Sequence, residues 1–393
     1  MSPEHARFFA WLLDTLEAEA PDALLIAGDV FDNANPSAAS QTQFYAFLTE
    51  ARRRVPQLAI VLTAGNHDSP GRLEAPAPFL ALFGAAVLGH VARDAAGVAL
   101  ERLVVPLRNV EGEVGAWCIA MPFLRPGDVP RVEGAEDAYA AGVEALYRQA
   151  FELARSLQAP GQAIVAMGHC HMHGGQVSED SERRILIGGS EALSAGILDP
   201  AIAYVALGHL HLAQRLGGDS TRRYSGSPLP LSFSEIGYPH QVVVVDLEGE
   251  SVREVREIPV PRAVDLLVVP SQAAPLPEVL AALSALDLPV RPEREWPYLQ
   301  VRVRLTQPEP GLRAEVEAAL EGKAVRLARI ETTYARPEGV ETAPALSVDE
   351  LNALAPADFF QRLYRHRFGE DAPPPLMGAF AELLATAPEG ALE

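Results

Sequence analysis

The chain of 393 residues reads as an α/β fold of layered α and β elements. Three observations predict this. Short unbroken apolar runs recur between residues 23 and 207. Amphipathic helical stretches lie between several of them. Each run leads into a glycine followed by a polar residue of ligand type. Runs of that length fit strands buried on both faces, and strands alternating with helices build a layered core.

Residues 4–19 open the chain as a helix. Phe8, Phe9, Trp11, Leu12, Leu13 and Leu16 recur at helical spacing, Ser2 suits its cap and Pro3 its first turn. The runs 23–27, 58–62, 163–167 and 204–207 read as strands. They lead into Gly28-Asp29, Gly65-Asn66-His67-Asp68, Gly168-His169 and Gly208-His209-Leu210-His211. Helical stretches fall at 38–53 and 136–157. Layered α/β folds place their sites just past the carboxyl ends of strands. After residue 220 the pattern turns to β, with strands at 242–246 and 252–258, and Pro259 and Pro261 mark a boundary. Residues 263–334 read as a small βαβαβ unit, with strands at 264–269, 298–305 and 324–333 and helices near 276–286 and 312–321. A proline-bearing stretch, 336–345, precedes two amphipathic helices near 347–368 and 374–386. The first opens on the capping-box pattern Ser347-x-x-Glu350. The expected units are 1–258, 259–335 and 336–393.

The composition, 48% hydrophobic and 21% charged, is that of an ordinary globular chain. No stretch reaches the roughly 18 unbroken apolar residues of a membrane span, and no signal-peptide pattern opens the chain. Cys118 and Cys170 are too few for a disulfide framework, so a reducing cytoplasm is the expected compartment. Net charge is −20, and Lys323 is the only lysine. That argues against binding nucleic acid by charge alone, which calls for a basic surface. Handling DNA would need metal ions, local arginine clusters or a partner.

Asp29, Asn66, His169, His209 and His211 are the residue types that hold a pair of divalent ions. A carboxylate can bridge the ions, and imidazoles or an amide can fill out each shell. Two ions about 3.5–4 Å apart clamp a phosphodiester and activate water. The glycine before Asp29, Asn66, His169 and His209 lets the backbone turn sharply toward the crevice. Any one motif alone is weak, but all four in this order, each after an apolar run, make a specific signal.

This order resembles the calcineurin-like metallophosphoesterases. In finer detail, Ala27-Gly28-Asp29-Val30-Phe31-Asp32, Pro122-Phe123-Leu124-Arg125-Pro126 and the stretch Tyr224 to Phe233 (YSGSPLPLSF) are similar to the SbcD family of bacterial nuclease subunits. The resemblance spans nearly the whole chain and is firm to about residue 245. It implies a sandwich of two mixed β-sheets flanked by helices, a small α/β capping domain and C-terminal helices. It also implies metal-dependent exonuclease and endonuclease action on DNA in end processing, recombination and repair. The partner would be an SbcC-like ATPase, and the assembly a homodimer within a heterotetramer. By the same resemblance Asp29 bridges two divalent ions, manganese first and magnesium as the alternative. Asn66, His169 and His209 hold one ion and His211 the other. His67 and Asp68 are the catalytic pair, His67 as proton donor to the leaving oxygen and Asp68 as its orienting carboxylate.

One departure stands out. The family pattern opens with a strand ending in Asp-x-His, which completes the shell of the ion held by His211. Upstream of Asp29 the acidic and imidazole residues are Glu4, His5, Asp14, Glu17, Glu19 and Asp22, and none follows a buried strand. Either the recorded start lies inside the true reading frame, the favoured reading, or the strand has been lost. The chain as written is expected to fold and cleave poorly. If the loss is genuine, it is a partner-binding protein with an impaired site. A small-molecule phosphodiesterase or nucleotidase on the same core is the other alternative. The acidic balance suits it, whereas the βαβαβ unit and tail speak for DNA.

Other features have plainer readings. Cys170, His171 and His173 could form a local zinc cluster, but neighbours at a strand exit point in different directions. His90, His240 and His366 read as surface or satisfied histidines, and Arg52-Arg53-Arg54 as a solvated helix end. Arg183, Arg184, Arg215, Arg222 and Arg223 flank ligand motifs and are candidates for phosphate contacts. Residues 225–233 either floor a substrate groove or form a tight turn. The apolar faces of the last two helices, including Leu351, Phe359, Leu363 and Leu383, either dock on a neighbouring unit or grip the coiled-coil base of the ATPase.

Overall fold

The computed structural model describes residues 3–95, 97–178, 192–334, 354–368 and 371–386. The chain divides into two compact units, Met1–Ala263 and Val264–Glu393. The fold is mixed α/β with several sheets, the class the alternating pattern predicts.

In the first unit, strands β1 (Ala23–Ala27), β2 (Ala59–Thr63) and β3 (Ala85–Leu88) form a parallel sheet in that order. A short ribbon of β4 (Arg93–Asp94) and β5 (Gly97–Val98) follows. The second sheet is mixed. It is made of β6 (Val104–Arg108), β7 (Val114–Ala120), β8 (Ala163–His169), β9 (Tyr204–Gly208), β10 (Gln214–Leu216) and β11 (Asp219–Tyr224), in the order β10-β11-β9-β8-β7-β6. Helices α1 (Pro3–Glu19), α2 (Ala38–Arg54), α3 (Pro70–Glu74), α4 (Ala77–Ala81) and α5 (Ala138–Leu157) flank these sheets. A hairpin of β12 (Gln241–Glu248) and β13 (Ser251–Pro259) completes the unit.

The apolar runs pack on both faces because strand side chains alternate, with β2, β8 and β9 largely buried and β1 half-buried. Leu24 and Ile26 of β1, with Ile60 and Leu62 of β2, pack with Leu12, Leu13 and Leu16 of α1 and Phe44, Phe47 and Leu48 of α2. Leu25, Ala27 and Val61 turn the other way and join Val165, Met167, Val205 and Leu207 of the second sheet. Each fully buried Leu or Ile contributes about 1.5–3 kcal/mol, so the sandwich is held from both sides of β1 and β2. Local chemistry sets the helix starts. Ser37 caps α2, its Oγ accepting from Ser40 N at 3.1 Å, and Asp137 caps α5 by accepting from Ala140 N at 2.9 Å.

Two expectations change. Arg52-Arg53-Arg54 is more than a solvated helix end. Arg54 pairs with Asp14 of α1 at 2.7 Å and with Glu50 at 3.0 Å, while Arg52 donates to the Leu58 carbonyl at 2.7 Å. Strands β6 and β7 were not among the runs read as strands. Pro106 breaks the strand signal of β6, and the structure accommodates it because β6 is an edge strand, where a missing N–H costs no ladder bond.

The second unit holds a parallel sheet of β14 (Leu266–Pro275), β15 (Tyr298–Leu305) and β16 (Arg326–Tyr334). Helices α6 (Leu276–Ser284) and α7 (Leu312–Ala319) cover it around Val279, Leu283, Leu299, Val301, Val303 and Val316. This is the βαβαβ order expected from the sequence. Helices α8 (Pro356–Phe368) and α9 (Pro374–Thr386) meet through Phe360 stacked on Phe380, with ring centroids 4.2 Å apart. The 336–345 stretch, the Ser347/Glu350 capping box, Leu351, Arg183 and Arg184 lie outside the described residues. Among the described residues no helix is long and apolar enough to cross a membrane.

Candidate metal centre

The carboxyl ends of β1, β8 and β9 meet the loop after β2, and glycine makes that approach possible. A Cβ at Gly208 would overlap the Ala27 carbonyl oxygen and also meet His169 Nδ1. Gly28 (φ +84°) faces the same imidazole and Gly65. The backbone then passes through Asp29 at φ +49° and His209 at φ +102°, conformations L-residues rarely adopt. Such strain costs about 1–3 kcal/mol per residue and clusters at functional sites.

Around these turns the donor atoms converge. His169 Nε2 lies 3.2 Å from Asp29 Oδ2 and 3.0 Å from Asn66 Oδ1. His209 Nδ1 lies 3.0 Å from the same Asn66 oxygen. The ligand atoms of Asp29, His169 and His209 all fall within 4.8 Å of one another, the one such three-residue group among the described residues. His169 Nδ1 is 2.8 Å from the Ala27 carbonyl, which can only accept, so Nδ1 carries the hydrogen. In its neutral form His169 therefore turns the Nε2 lone pair onto two oxygens. Three electron-rich atoms facing one point suit a cation between them, so the donor set fits a divalent ion.

The electrostatics agree with that fit. Burial opposes the charged form of Asp29, but in the metal-free protein the hydrogen bond and charge of a protonated His169, with the His67 N–H, outweigh it and hold the carboxyl at about 2. Burial, reinforced by His169, holds His209 down at about 3. One carboxylate and one neutral imidazole are thus available across the physiological range.

His67 and Asp68 occupy different environments. The backbone N–H of His67 donates to Asp29 Oδ1 at 2.9 Å, and His67 Nδ1 donates to the Asp32 carbonyl at 2.7 Å. Asp68 is not the orienting carboxylate expected for His67. It is buried and accepts from Gly65 N at 2.9 Å, Phe31 N at 3.0 Å and Val30 N at 3.1 Å. Burial raises its pKa against these bonds. Asp68 therefore clamps the loop carrying Asp29 to the loop carrying Asn66.

His211 lies two residues beyond His209, close enough to bear on its charge. It is not in the compact donor group. Its Nδ1 lies 2.8 Å from Oε1 of Glu235, a fully enclosed carboxylate whose Oε2 accepts from Leu231 N at 2.9 Å. Sequence reasoning missed Glu235. The available signal was a lone acidic residue in the otherwise uncharged run 225–239. That run packs as a tight turn: Gly226 (φ +80°) sits against His211 and Ala213, and Ser227 N donates to the His211 carbonyl at 2.9 Å.

Other candidates take structural roles. His240 bonds the Ser227 and Glu235 carbonyls, and His90 pairs with Glu74 at 3.0 Å. The Cys170 thiol is pushed up to about 12 by burial and lies 3.6 Å from Met172 Sδ. His171 and His173 join no three-ligand group among the described residues. Arg215 and Arg223 both pair with Glu257, at 3.1 and 2.6 Å, and Arg222 donates to the Ile202 carbonyl at 2.6 Å.

A family model described as calcineurin-like phosphoesterase matches residues 3–213. Another, described as type 5 capsule protein repressor C-terminal domain, matches residues 262–368. The chain is 45% identical over 363 residues to the SbcD subunit of the nuclease SbcCD from Rhodobacter capsulatus, covering 91% of this chain and 88% of that protein. It is 30% identical over 363 residues to the Escherichia coli protein of the same name, covering 88% and 86%. Against the Bacillus subtilis protein of that name it is 37% identical over 238 residues, covering 58% and 56%. The chain belongs to the calcineurin-like phosphoesterase family.

Proposed function

We propose that this chain is the nuclease subunit of an SbcCD-type complex. It hydrolyses phosphodiester bonds at DNA ends and hairpins, with two divalent ions, manganese by preference, and works in the cytoplasm with an SbcC-like ATPase. The convergence of Asp29, Asn66, His169 and His209 on one point carries the reading. Identity to three relatives named as nuclease subunits supports the substrate and the partner.

In this reading Asp29, Asn66, His169 and His209 would hold one ion, and Asp29 with His211 would hold the other. When bound, the ions neutralise phosphate charge and make water nucleophilic at neutral pH. The residues of the chain do the rest. Ala27 fixes the tautomer of His169. Asp68 locks the two ligand-bearing loops together. His67, held by Asp32, presents Nε2 to protonate the departing sugar oxygen. Residues 1–258 form the nuclease domain, 259–335 a cap and 336–393 the ATPase-binding segment. Phe359 and Leu363, one turn apart on α8 and 43% and 48% exposed, suit such a partner. Phe79, Leu82 and Phe83, exposed by 72%, 80% and 48%, form an apolar surface fit for a homodimer seam.

The test is cleavage of linear duplex and hairpin DNA by the purified chain with manganese, with and without the ATPase. Detectable manganese-dependent cutting, strengthened by the ATPase, is expected. Turnover of bis-p-nitrophenyl phosphate with no cutting of DNA under either condition would overturn the reading in favour of a small-molecule phosphodiesterase.

A further inference from the structure

Pro122-Phe123-Leu124-Arg125-Pro126 lies beside the metal centre without supplying a ligand. Phe123 N donates to the Ala64 carbonyl at 2.8 Å, on the loop that carries Asn66. Its ring stands edge-on to His169, with centroids 6.2 Å apart and planes at 82°. The Arg125 guanidinium carbon sits over the same ring, 5.3 Å from the Phe123 centroid.

We infer that Arg125, supported by Phe123, is a subsite for a DNA backbone phosphate flanking the scissile one. The inference rests on the nuclease reading above and names part of its substrate grip.

Three features support it. The backbone beneath Arg125 is pinned: Tyr139 Oη donates to the Leu124 carbonyl at 2.9 Å, Arg125 N to Asp128 Oδ2 at 2.8 Å, and Asp128 N back to the Arg125 carbonyl at 2.8 Å. Arg125 is half-buried as a residue and its guanidinium lies over an aromatic face, so little side-chain freedom remains to be lost when it meets an anion. It also makes no ion pair or side-chain hydrogen bond among the described residues, whereas Arg215 and Arg223 are committed to Glu257. Asp128, the carboxylate in the same turn, spends its Oδ2 on the backbone.

Position matches the ligand. Two contacts, of 5.3 and 6.2 Å, link the guanidinium to a proposed metal ligand. At a rise of about 3.4 Å per nucleotide, that reach covers the first few phosphates beside the cut. A planar fork with fixed donors is the group that phosphate recognition uses. In a chain of net charge −20, one uncommitted arginine at the lip has a large local effect.

The experiment uses the full chain with its ATPase and compares wild type with Arg125→Ala, Arg125→Gln and Arg125→Lys. Binding of labelled duplex DNA is measured by anisotropy across a salt series. Steady-state cleavage of DNA and of bis-p-nitrophenyl phosphate is measured alongside. For Arg125→Ala we expect the DNA KM to rise about tenfold, with kcat changed less than the KM. The slope of log affinity against log salt should shrink by about 0.9, one phosphate contact. The ratio of DNA to small-diester turnover should fall about tenfold, and Arg125→Lys should recover part of each effect. Arg125→Gln keeps the stem and covers the case in which the alanine variant fails to fold. Wild-type salt slope and KM in Arg125→Gln would overturn the subsite while leaving the nuclease reading intact. An equal loss on both substrates would also overturn it, since that marks damage to the centre. A wild-type protein that hydrolyses the small diester but neither binds nor cuts DNA overturns both.

Discussion

His211 Nδ1 lies 2.8 Å from Oε1 of Glu235, and that carboxylate has no solvent exposure. A carboxylate on one ring nitrogen fixes the tautomer and turns the other nitrogen, Nε2, outward as a basic ligand. Glu235 is held in turn by Leu231 N at 2.9 Å. Glu235→Gln is therefore expected to raise the manganese concentration for half-maximal activity about 10–100-fold. Metal titration by calorimetry should show the same weakening. Unchanged metal affinity in a folded variant would remove Glu235 from any positioning role.

His67 and Asp68 are adjacent but should respond differently. His67 is half-buried with its Nδ1 donating to the Asp32 carbonyl, so His67→Ala is expected to lower kcat about 10²–10⁴-fold with metal stoichiometry retained. Asp68 satisfies three backbone N–H groups, so Asp68→Ala should cost about 1–3 kcal/mol of stability or more. Thermal melts beside kinetics separate the two. A His67→Ala variant that cuts at the wild-type rate would exclude it as proton donor.

Burial and His169 hold His209 at about 3, below its ordinary 6.5. Between those values the unfolded chain binds a proton that the native state does not. Stability of the metal-free protein is then whole above about pH 6.5 and declines as pH falls toward 3. Denaturant midpoints followed by circular dichroism should trace that decline, and His209→Asn should flatten it. The same slope in the variant would assign the acid sensitivity elsewhere.

Phe79 and Leu82 lie at and just past the short helix α4, exposed by 72% and 80%. Burying such a surface is what a closed twofold contact achieves. Phe79→Glu with Leu82→Glu should give monomers by light scattering with little change in melting temperature. A wild-type protein that is already monomeric at micromolar concentration would rule out this seam.

The sequence by itself carried the layered fold and singled out Asp29, Asn66, His169 and His209, whose side chains the fold brings together, while His211 stands outside that group. Both readings rest on local rules: apolar runs set by strand burial, and small glycines at the strand ends, of which Gly28 turns the chain into Asp29 while Gly168 and Gly208 close β8 and β9. The βαβαβ order of the second unit was legible for the same reason. Tertiary structure decided what depends on distance in sequence. Asp68 is next to His67, yet its oxygens reach Val30 and Phe31 in another loop, so adjacency suggested the wrong partner. Glu235 meets His211 only because the 225–239 run folds back under it. Arg215 and Arg223 read as phosphate-contact candidates beside ligand motifs, but Glu257 on β13 pairs with both, while Arg125, over Phe123, makes no ion pair among the described residues. Periodicity and turn chemistry act within a few residues and can be read along the chain. Which charge meets which depends on how strands far apart in sequence come to lie together.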